Sequence, residues 1–477
     1  MKIGVGTGSI RMEELAELCE GVLCANFDAE EAAFSYVCTD SREADADTLF
    51  VVMKGEKGDG HDYMLSAAQN GCRAFLCQHI PPELIESELD FAVITCENSI
   101  EALGRFVRTY NEFRGKQTVA VTGSVGKTTT KEMIAAVLSR GFGVCKTHAN
   151  HNSTIGMPMS LLSLQESDEV MVAEMGTDGF GQISFMSGIA RPHIACITNI
   201  GSSHLEVFRS RENISQAKLE IADGLRPDGI LILNGDEPLL GSVHRKNVKT
   251  LYVALRNLDA DYRATNIRYG EGETLFDLVR GGERVCDIRL GVLGEPYVWA
   301  ALFAIATAEL FGMDMDTVRS GLLGFEKAEV RQNIYDNHGV TVIEDCYNAA
   351  PESMRAAADV LSMLAAKKTG ARTVALLGDM RELGENSAEY HKGVGRYFFS
   401  CGVDRLVCVG ELAKDIALGA LDAGMENGAV TVCLDKDETD KIAGAVSGML
   451  RKGDLLLVKA SRAIGAERIL EKIKRMI

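Results

Sequence analysis

The stretch Thr122-Gly123-Ser124-Val125-Gly126-Lys127-Thr128-Thr129-Thr130 follows a short apolar run, Val119-Ala120-Val121, and opens a helical pattern. Glycines let the backbone turn so that successive N–H groups converge, and the helix N-terminus adds the positive end of its dipole. Strand, loop and helix in that order make a phosphate-binding loop, in which Lys127 would neutralise the outer phosphates and the Thr128 hydroxyl would hold Mg²⁺. Met133, Ile134, Val137 and Leu138 recur at helical spacing, as a helix packed on a sheet requires. Position 121 is Val, so the first glycine of the G-x-x-x-x-G-K-[ST] pattern is missing. The alternative is a Gly-Ser-Thr-rich strand-to-helix turn that binds nothing.

A chain of 477 residues is too long for one ordinary core, and 46% hydrophobic with 25% charged residues describes folded protein throughout. The formal net charge of −18 argues against nucleic acid or an anionic membrane as partner. A phosphorylated ligand must therefore be met by local basic groups and metal ions. No apolar run reaches the length of a membrane span and the N-terminus lacks a signal-peptide hydrophobic region, so the expected location is the cytoplasm. The thirteen cysteines contain no C-x-x-C pair and read as small core side chains in a reducing compartment. The early Gly4-Val5-Gly6-Thr7-Gly8 run follows no proper strand and reads as a flexible lead.

The pattern of elements is α/β in three blocks. Residues 1–110 alternate short strands, such as Thr48–Val52 and Ala74–Cys77, with a helical stretch around Asp62 to Asn70. After a polar join, residues 111–327 carry strands at Val119–Val121, Val170–Ala173, Ile194–Thr198 and Ile230–Leu233 between helices, the signature of a doubly wound, mainly parallel sheet. Residues 328–477 repeat the pattern at Val340–Ile343, Val374–Leu377, Leu406–Val409, Val430–Leu434 and Leu455–Val458, a second Rossmann-like sheet.

Polar residues at strand ends are where such a sheet gathers its site. Glu174 closes the strand Val170–Ala173 and is a candidate Mg²⁺ ligand, against the alternative of a solvated strand-end carboxylate. His204 alone is a weak signal. Lys218 reads locally as an exposed helix lysine, and Asn150 and Asn152 as turn residues.

The loop together with Asp40-Ser41-Arg42, Leu49-Phe50, Lys54-Gly55, Asp59-Gly60-His61, Glu174-Met175-Gly176, Thr198-Asn199-Ile200-Gly201, His204-Leu205-Glu206 and Ala217-Lys218-Leu219-Glu220 resembles the Mur ligase family. Tyr347-Asn348-Ala349, Leu377-Gly378-Asp379-Met380 with Glu382-Leu383-Gly384, and Lys459-Ala460-Ser461-Arg462 continue the likeness and favour the branch that adds D-alanyl-D-alanine. The resemblance implies three domains: one for the UDP substrate (1–110), one for ATP (111–327) and a ligase domain (328–477). It implies an ATP-dependent, ADP-forming amide ligase of peptidoglycan precursor synthesis. The tripeptide carboxylate of UDP-N-acetylmuramoyl tripeptide would be phosphorylated and then attacked by the amine of D-alanyl-D-alanine, in a monomer without nucleic-acid or membrane partners.

By the same resemblance Gly123, Ser124, Gly126, Lys127, Thr128, Thr129, Asn152, Arg331 and Asp345 meet the nucleotide. Lys127, Glu174, His204 and Lys218 are implied to be catalytic, with Thr128 and Glu174 on one Mg²⁺ and His204 with a carbamylated Lys218 on a second. Ser41, Arg42, Lys54, His61, Asn348, Ser461 and Arg462 fall on the substrate side. The chain departs from the family at Gly294–Ala300, where asparagines expected near the adenine are replaced by Glu-Pro-Tyr-Val-Trp. Two readings of that segment are open: Tyr297 and Trp299 stack on a purine, or Pro296 starts a helix whose Trp299 fills the core. A relative acting on a folate-like acyl chain and a nucleotide-driven switch without ligase activity are the other functional alternatives.

Overall fold

The computed structural model describes residues 2–55, 58–148, 151–243, 245–327 and 332–477, and its strands gather into three large sheets in chain order. The first has the edge-to-edge order Lys2–Gly4, Tyr36–Cys38, Thr48–Val51, Ala74–Cys77, Ala92–Thr95, Val22–Ala25, with antiparallel strands only at its two edges. Thr48–Val51 and Ala74–Cys77 are buried along their whole length, as continuous apolar runs must be in a parallel sheet covered on both faces. The Gly4–Gly8 segment is not a flexible lead. Lys2–Gly4 pairs with Tyr36–Cys38, the Gly6 N–H donates to Leu162 O at 2.9 Å, and a Cβ on Gly6 would meet Leu164 O at 2.0 Å.

The helix Ser99–Phe113 leads into the second unit, its start fixed by the Asn98 carboxamide, which accepts from the Ile100 and Glu101 amides at 3.0 and 3.3 Å. The central sheet runs Val144–Lys146, Val170–Glu174, Gln117–Thr122, Ile194–Ile197, Ile230–Asn234, Lys249–Ala254, Tyr262–Tyr269, Thr274–Arg280, Glu283–Leu290. All are parallel up to Tyr262–Tyr269, and the last two are added antiparallel. The helix Glu295–Leu310 is apolar all round and packs against the helix Lys127–Leu138 that leaves the phosphate loop.

The third sheet has the order Asn333–Asn337, Val340–Asp345, Leu455–Lys459, Thr373–Gly378, Arg405–Val409, Val430–Cys433, antiparallel only at its first strand. The last strand in the chain inserts between Val340–Asp345 and Thr373–Gly378, which creates a topological switch point at their carboxyl ends.

The helices Ser387–Ser400 and Lys414–Asp422 of this unit approach closely because glycines stand at the contact: a Cβ on Gly395 would lie 1.9 Å from Ile416 O, and one on Gly419 2.1 Å from Lys392 O. Gly395→Ala should cost about 1–3 kcal/mol by overpacking, read as a lower melting temperature. Gly444→Ala, in the helix Thr439–Met449 with nothing within 4 Å, should be neutral or stabilise by about 0.5–1 kcal/mol. Equal melting temperatures for the two variants would refute this account of the helix crossing.

Candidate active site

The phosphate loop is held by the ends of its neighbouring strands. Thr122 Oγ1 donates to Met175 O at 2.8 Å, across to the strand Val170–Glu174. Gly123 has φ +148 and no room for a side chain, since its Cβ would fall 1.9 Å from Thr198 Oγ1. That hydroxyl donates to Val125 O at 2.6 Å, and Asn199 Oδ1 accepts from the Ser124 and Val125 amides at 3.2 and 3.0 Å. Gly126, at φ +81, caps the helix Lys127–Leu138, so Lys127, Thr128 and Thr129 form its first turn. The Lys127 ammonium bends back to Gly123 O (2.8 Å) and Ser124 O (3.1 Å), while Ser124 Oγ is buried with no hydrogen bond among the described residues.

Glu174 ends the adjacent strand, in register with Val121, and is buried rather than solvated. Its Oε1 accepts from Asn152 Nδ2 at 3.0 Å. Among the described residues its Oε2 has no hydrogen bond, and it lies 3.9 Å from the buried Lys131 ammonium, which itself donates to Thr147 O at 2.7 Å. A buried carboxylate oxygen left without a hydrogen bond is costly, and a hard cation is the partner that would satisfy it. The Glu174 oxygen therefore has the chemistry that suits a divalent ion, as does the hydroxyl of Thr128. Asn150 and Arg331 lie outside the described residues.

Lys218 is buried, not exposed as its polar helix Arg211–Leu219 suggests. Burial, and secondarily the charge of Lys127, holds its ammonium well below the ordinary lysine range. His204 sits at φ 64 before the helix Leu205–Phe208 and pairs through Nδ1 with Glu382 Oε2 at 2.5 Å. The imidazole hydrogen bond, more than its charge, keeps the Glu382 carboxyl below the usual range. Among the described residues no group of three or more His, Cys, Asp or Glu side chains converges as a metal cluster.

The third unit docks on the segment between Thr198 and Glu206. The Ser202 N–H and Oγ both donate to Glu352 Oε1 at 3.0 Å, the hydroxyl lies 3.2 Å from Oε2, and Glu206 N donates to Glu382 O at 3.1 Å. Sequence reasoning missed Glu352, whose only signal is its place in the first turn of the helix Pro351–Ala366 after Tyr347-Asn348-Ala349. At the switch point of this unit the buried Lys459 pairs with Asp345 Oδ2 at 2.6 Å and donates to Asn348 O at 3.0 Å. Ser461 is buried nearby with its Oγ unpartnered among the described residues, and Arg462 is exposed.

In the first unit Arg42 is exposed and grips Asp40 through two hydrogen bonds of 2.8 and 2.5 Å, which holds that carboxyl well below its usual range. Ser41 is half-buried beside it, and Lys54 projects from the hairpin Lys54–Gly55/Gly58–Asp59. His61 is buried: Nδ1 bonds Asp59 Oδ1 at 2.5 Å, Nε2 accepts from Gln78 N at 3.3 Å, and the ring stacks on His79 at 3.9 Å. Both its ring nitrogens are engaged within the protein. At the altered segment Pro296 stands in the first turn of the helix Glu295–Leu310, Tyr297 is buried and the half-buried Trp299 packs against the core, as the helix-start reading expects.

Three family models match the chain: the Mur ligase family catalytic domain at residues 33–127, the Mur ligase middle domain at 121–308, and the Mur ligase glutamate ligase domain at 330–462. The UDP-N-acetylmuramoyl-tripeptide–D-alanyl-D-alanine ligase of Bacillus subtilis (strain 168) is 36% identical over 463 residues, 97% of this chain and 98% of the relative. The chain belongs to the Mur ligase family. The ligase of the same name from Escherichia coli (strain K12) is 31% identical over 86% of this chain and 88% of its own. Among solved structures, MurF from Acinetobacter baumannii matches with a TM-score of 0.86 at 28% identity, covering 99% of this chain and 100% of its own. MurF from Thermotoga maritima in complex with ADP matches with 0.81 at 28%, covering 92% and 97%.

In this Mur ligase the Glu352 carboxylate reaches Ser202 across Gly201, where a Cβ would meet the Glu352 carboxyl carbon at 2.9 Å and push that side chain away from Ser202. Hydrogen bonds to a charged group contribute about 1.5–3 kcal/mol, so Gly201→Ala and Glu352→Ala should each shift docking of the third unit about tenfold or more toward separation. Small-angle scattering should show a larger radius of gyration in both variants. Wild-type dimensions in both would refute the role of this contact.

Proposed function

We propose that this chain joins D-alanyl-D-alanine to the C-terminal carboxylate of UDP-N-acetylmuramoyl tripeptide, cleaving ATP to ADP, in peptidoglycan precursor synthesis. The observation that carries the reading is the phosphate loop set beside the buried, half-satisfied Glu174 carboxylate, in a chain that matches ligases of this activity from end to end. In this reading residues 1–110 hold the UDP moiety, 111–327 the ATP and 328–477 close over both. Reliance on ATP and a UDP-linked sugar supports a cytoplasmic location, and no helix among the described residues is long and apolar enough to cross a membrane.

A carboxylate resists an amine because its oxygen is a poor leaving group. Transfer of the γ-phosphoryl group, with ADP leaving, converts the carboxylate to an acyl phosphate, a mixed anhydride; the amine of D-alanyl-D-alanine adds to the acyl carbon and loses a proton, and inorganic phosphate departs to leave the amide. The protein positions and neutralises charge rather than forming covalent bonds. Lys127, released from the Gly123 and Ser124 carbonyls, would meet the transferring phosphoryl group. Thr128 and Glu174 would hold the first Mg²⁺, with Asn152 orienting the carboxylate; the ion's chemistry when bound is neutralisation of phosphate charge. His204, released from Glu382, would serve a second ion with Lys218. The neutral amine that burial favours at Lys218 is the form that adds to dissolved CO₂, losing a proton to give a carbamate anion. Asp345, Arg331 and Asn348 are assigned to the nucleotide and substrate from the third unit, and Ser41, Arg42, Lys54, Ser461 and Arg462 to the substrate. His61 serves that site by bracing the Lys54–Asp59 hairpin.

ADP release should require ATP, the UDP-linked tripeptide and D-alanyl-D-alanine together, with each omitted in turn; release that is indifferent to the last two would overturn the ligase reading. Lys127→Ala should lose at least about 100-fold in turnover, the scale of one removed transition-state donor. Near-normal turnover of the folded variant would sink the phosphate-loop assignment.

Lys218→Ala should be inactive yet partly recovered by a short carboxylic acid in the buffer, because the required group is the anion. Lys218→Arg should not be recovered. Full activity of Lys218→Ala without additive would contradict the carbamate.

A further inference from the structure

Asn199 has no role in the chemistry above, yet its carboxamide is bonded to two amides of the phosphate loop. Its Oδ1 accepts from both the Ser124 and Val125 amides, at 3.2 and 3.0 Å, and its own carbonyl accepts a second contact from Ser124 N at 3.1 Å. The residue before it completes the grip: Thr198 Oγ1 donates to Val125 O at 2.6 Å and packs where Gly123 would carry a Cβ. Thr198 is itself anchored, its carbonyl accepting from the buried Asn234 Nδ2 at 2.9 Å and its amide donating to Thr122 O at 3.0 Å. The amide and carbonyl of Val125 are thus both fixed from one side, by two consecutive residues whose backbone is tied into the sheet.

We infer that Asn199 is a positioning residue: its side chain sets the orientation of the Ser124 and Val125 amides, so that the loop meets phosphate already ordered. This rests on the assignment of residues 122–130 as the phosphate loop. A glycine-rich loop without such a restraint samples many backbone conformations, and ordering it on binding weakens affinity. A carboxamide suits the task because it accepts two N–H bonds while carrying no charge to repel phosphate. Asp at the same place would keep the acceptor and add the repulsion.

The test reads the loop with and without nucleotide. In the protein alone, amide hydrogen exchange at Ser124 and Val125 should be about tenfold faster or more in Asn199→Ala than in wild type, on the scale of one or two lost hydrogen bonds. ADP affinity, by calorimetry, should weaken about tenfold in the same variant, and in turnover the loss should appear in KM for ATP more than in kcat. Asn199→Asp should recover the slow exchange but not the affinity, and its deficit should shrink as salt rises. Exchange unchanged in Asn199→Ala, with the variant folded by circular dichroism, would overturn the inference. So would tighter ADP binding, which would mean that the carboxamide competes with phosphate instead of ordering the loop for it. The exchange arm needs no ligase activity, so a failure of the proposed reaction leaves it standing. Normal ligation with unchanged exchange would remove this inference alone.

Discussion

The approach of Gly123 to Thr198 is the contact on which the site depends. Two parallel strands end side by side, and the chain leaving the first folds across the end of the second so closely that a methyl group would overlap the threonine hydroxyl. Only glycine accepts both that proximity and a φ of +148. Once the loop lies there, its polar groups face the end of the strand Ile194–Ile197, and Thr198 and Asn199 take them up. The segment that follows, through Gly201, Ser202 and His204, carries the glutamates of the third unit. One steric allowance thus places the phosphate loop and the docking surface on the same short piece of chain.

Charge burial explains why these residues do not simply rest in water. Lys131, Lys218, Lys459 and Glu174 are all buried, in a protein whose net charge is −18. Lys459 is matched by Asp345 at 2.6 Å, and Lys131 by Glu132 at 3.0 Å with the Thr147 carbonyl. Glu174 is hydrogen-bonded on one oxygen only among the described residues, and burial holds the Lys218 ammonium well below its ordinary range. Paired buried charges add little net stability, since desolvation offsets their attraction. The imperfectly matched ones are where the interior is adapted to something other than itself.

How much of this was legible follows from what the sequence encodes locally. The parallel strands of the second and third sheets were readable because strands buried on both faces are continuous apolar runs, and the phosphate loop because its signal is confined to nine residues. The strands Tyr262–Tyr269 and Glu283–Leu290 escaped notice, since they lie half in water and their polar residues blur the alternation. Lys218 could not be read as buried from Arg-Glu-Asn-Ile-Ser-Gln-Ala-Lys-Leu, because burial there is imposed by neighbours distant in sequence. The same holds for Glu352, whose partners lie 150 residues away, and for His61, whose imidazole is claimed by Asp59 and Gln78. Local pattern encodes elements; which polar residue meets which is decided by topology.

The polar groups of the site are also largely provided for from within the protein. Lys127 is bonded to two carbonyls of its own loop, and His204 to Glu382. Binding a nucleotide must then proceed by exchange of partners, and its free energy is the difference between the new contacts and those given up. A charged phosphate is a stronger acceptor for an ammonium than a peptide carbonyl, so the exchange favours the ligand at Lys127. At His204 the partner is already a carboxylate, in a charge-assisted bond supplied by the third unit, and the gain from replacing it is correspondingly smaller. Release of His204 is therefore tied to movement of that unit, and the geometry couples the state of this histidine to the docking of a domain whose contacts begin at Ser202.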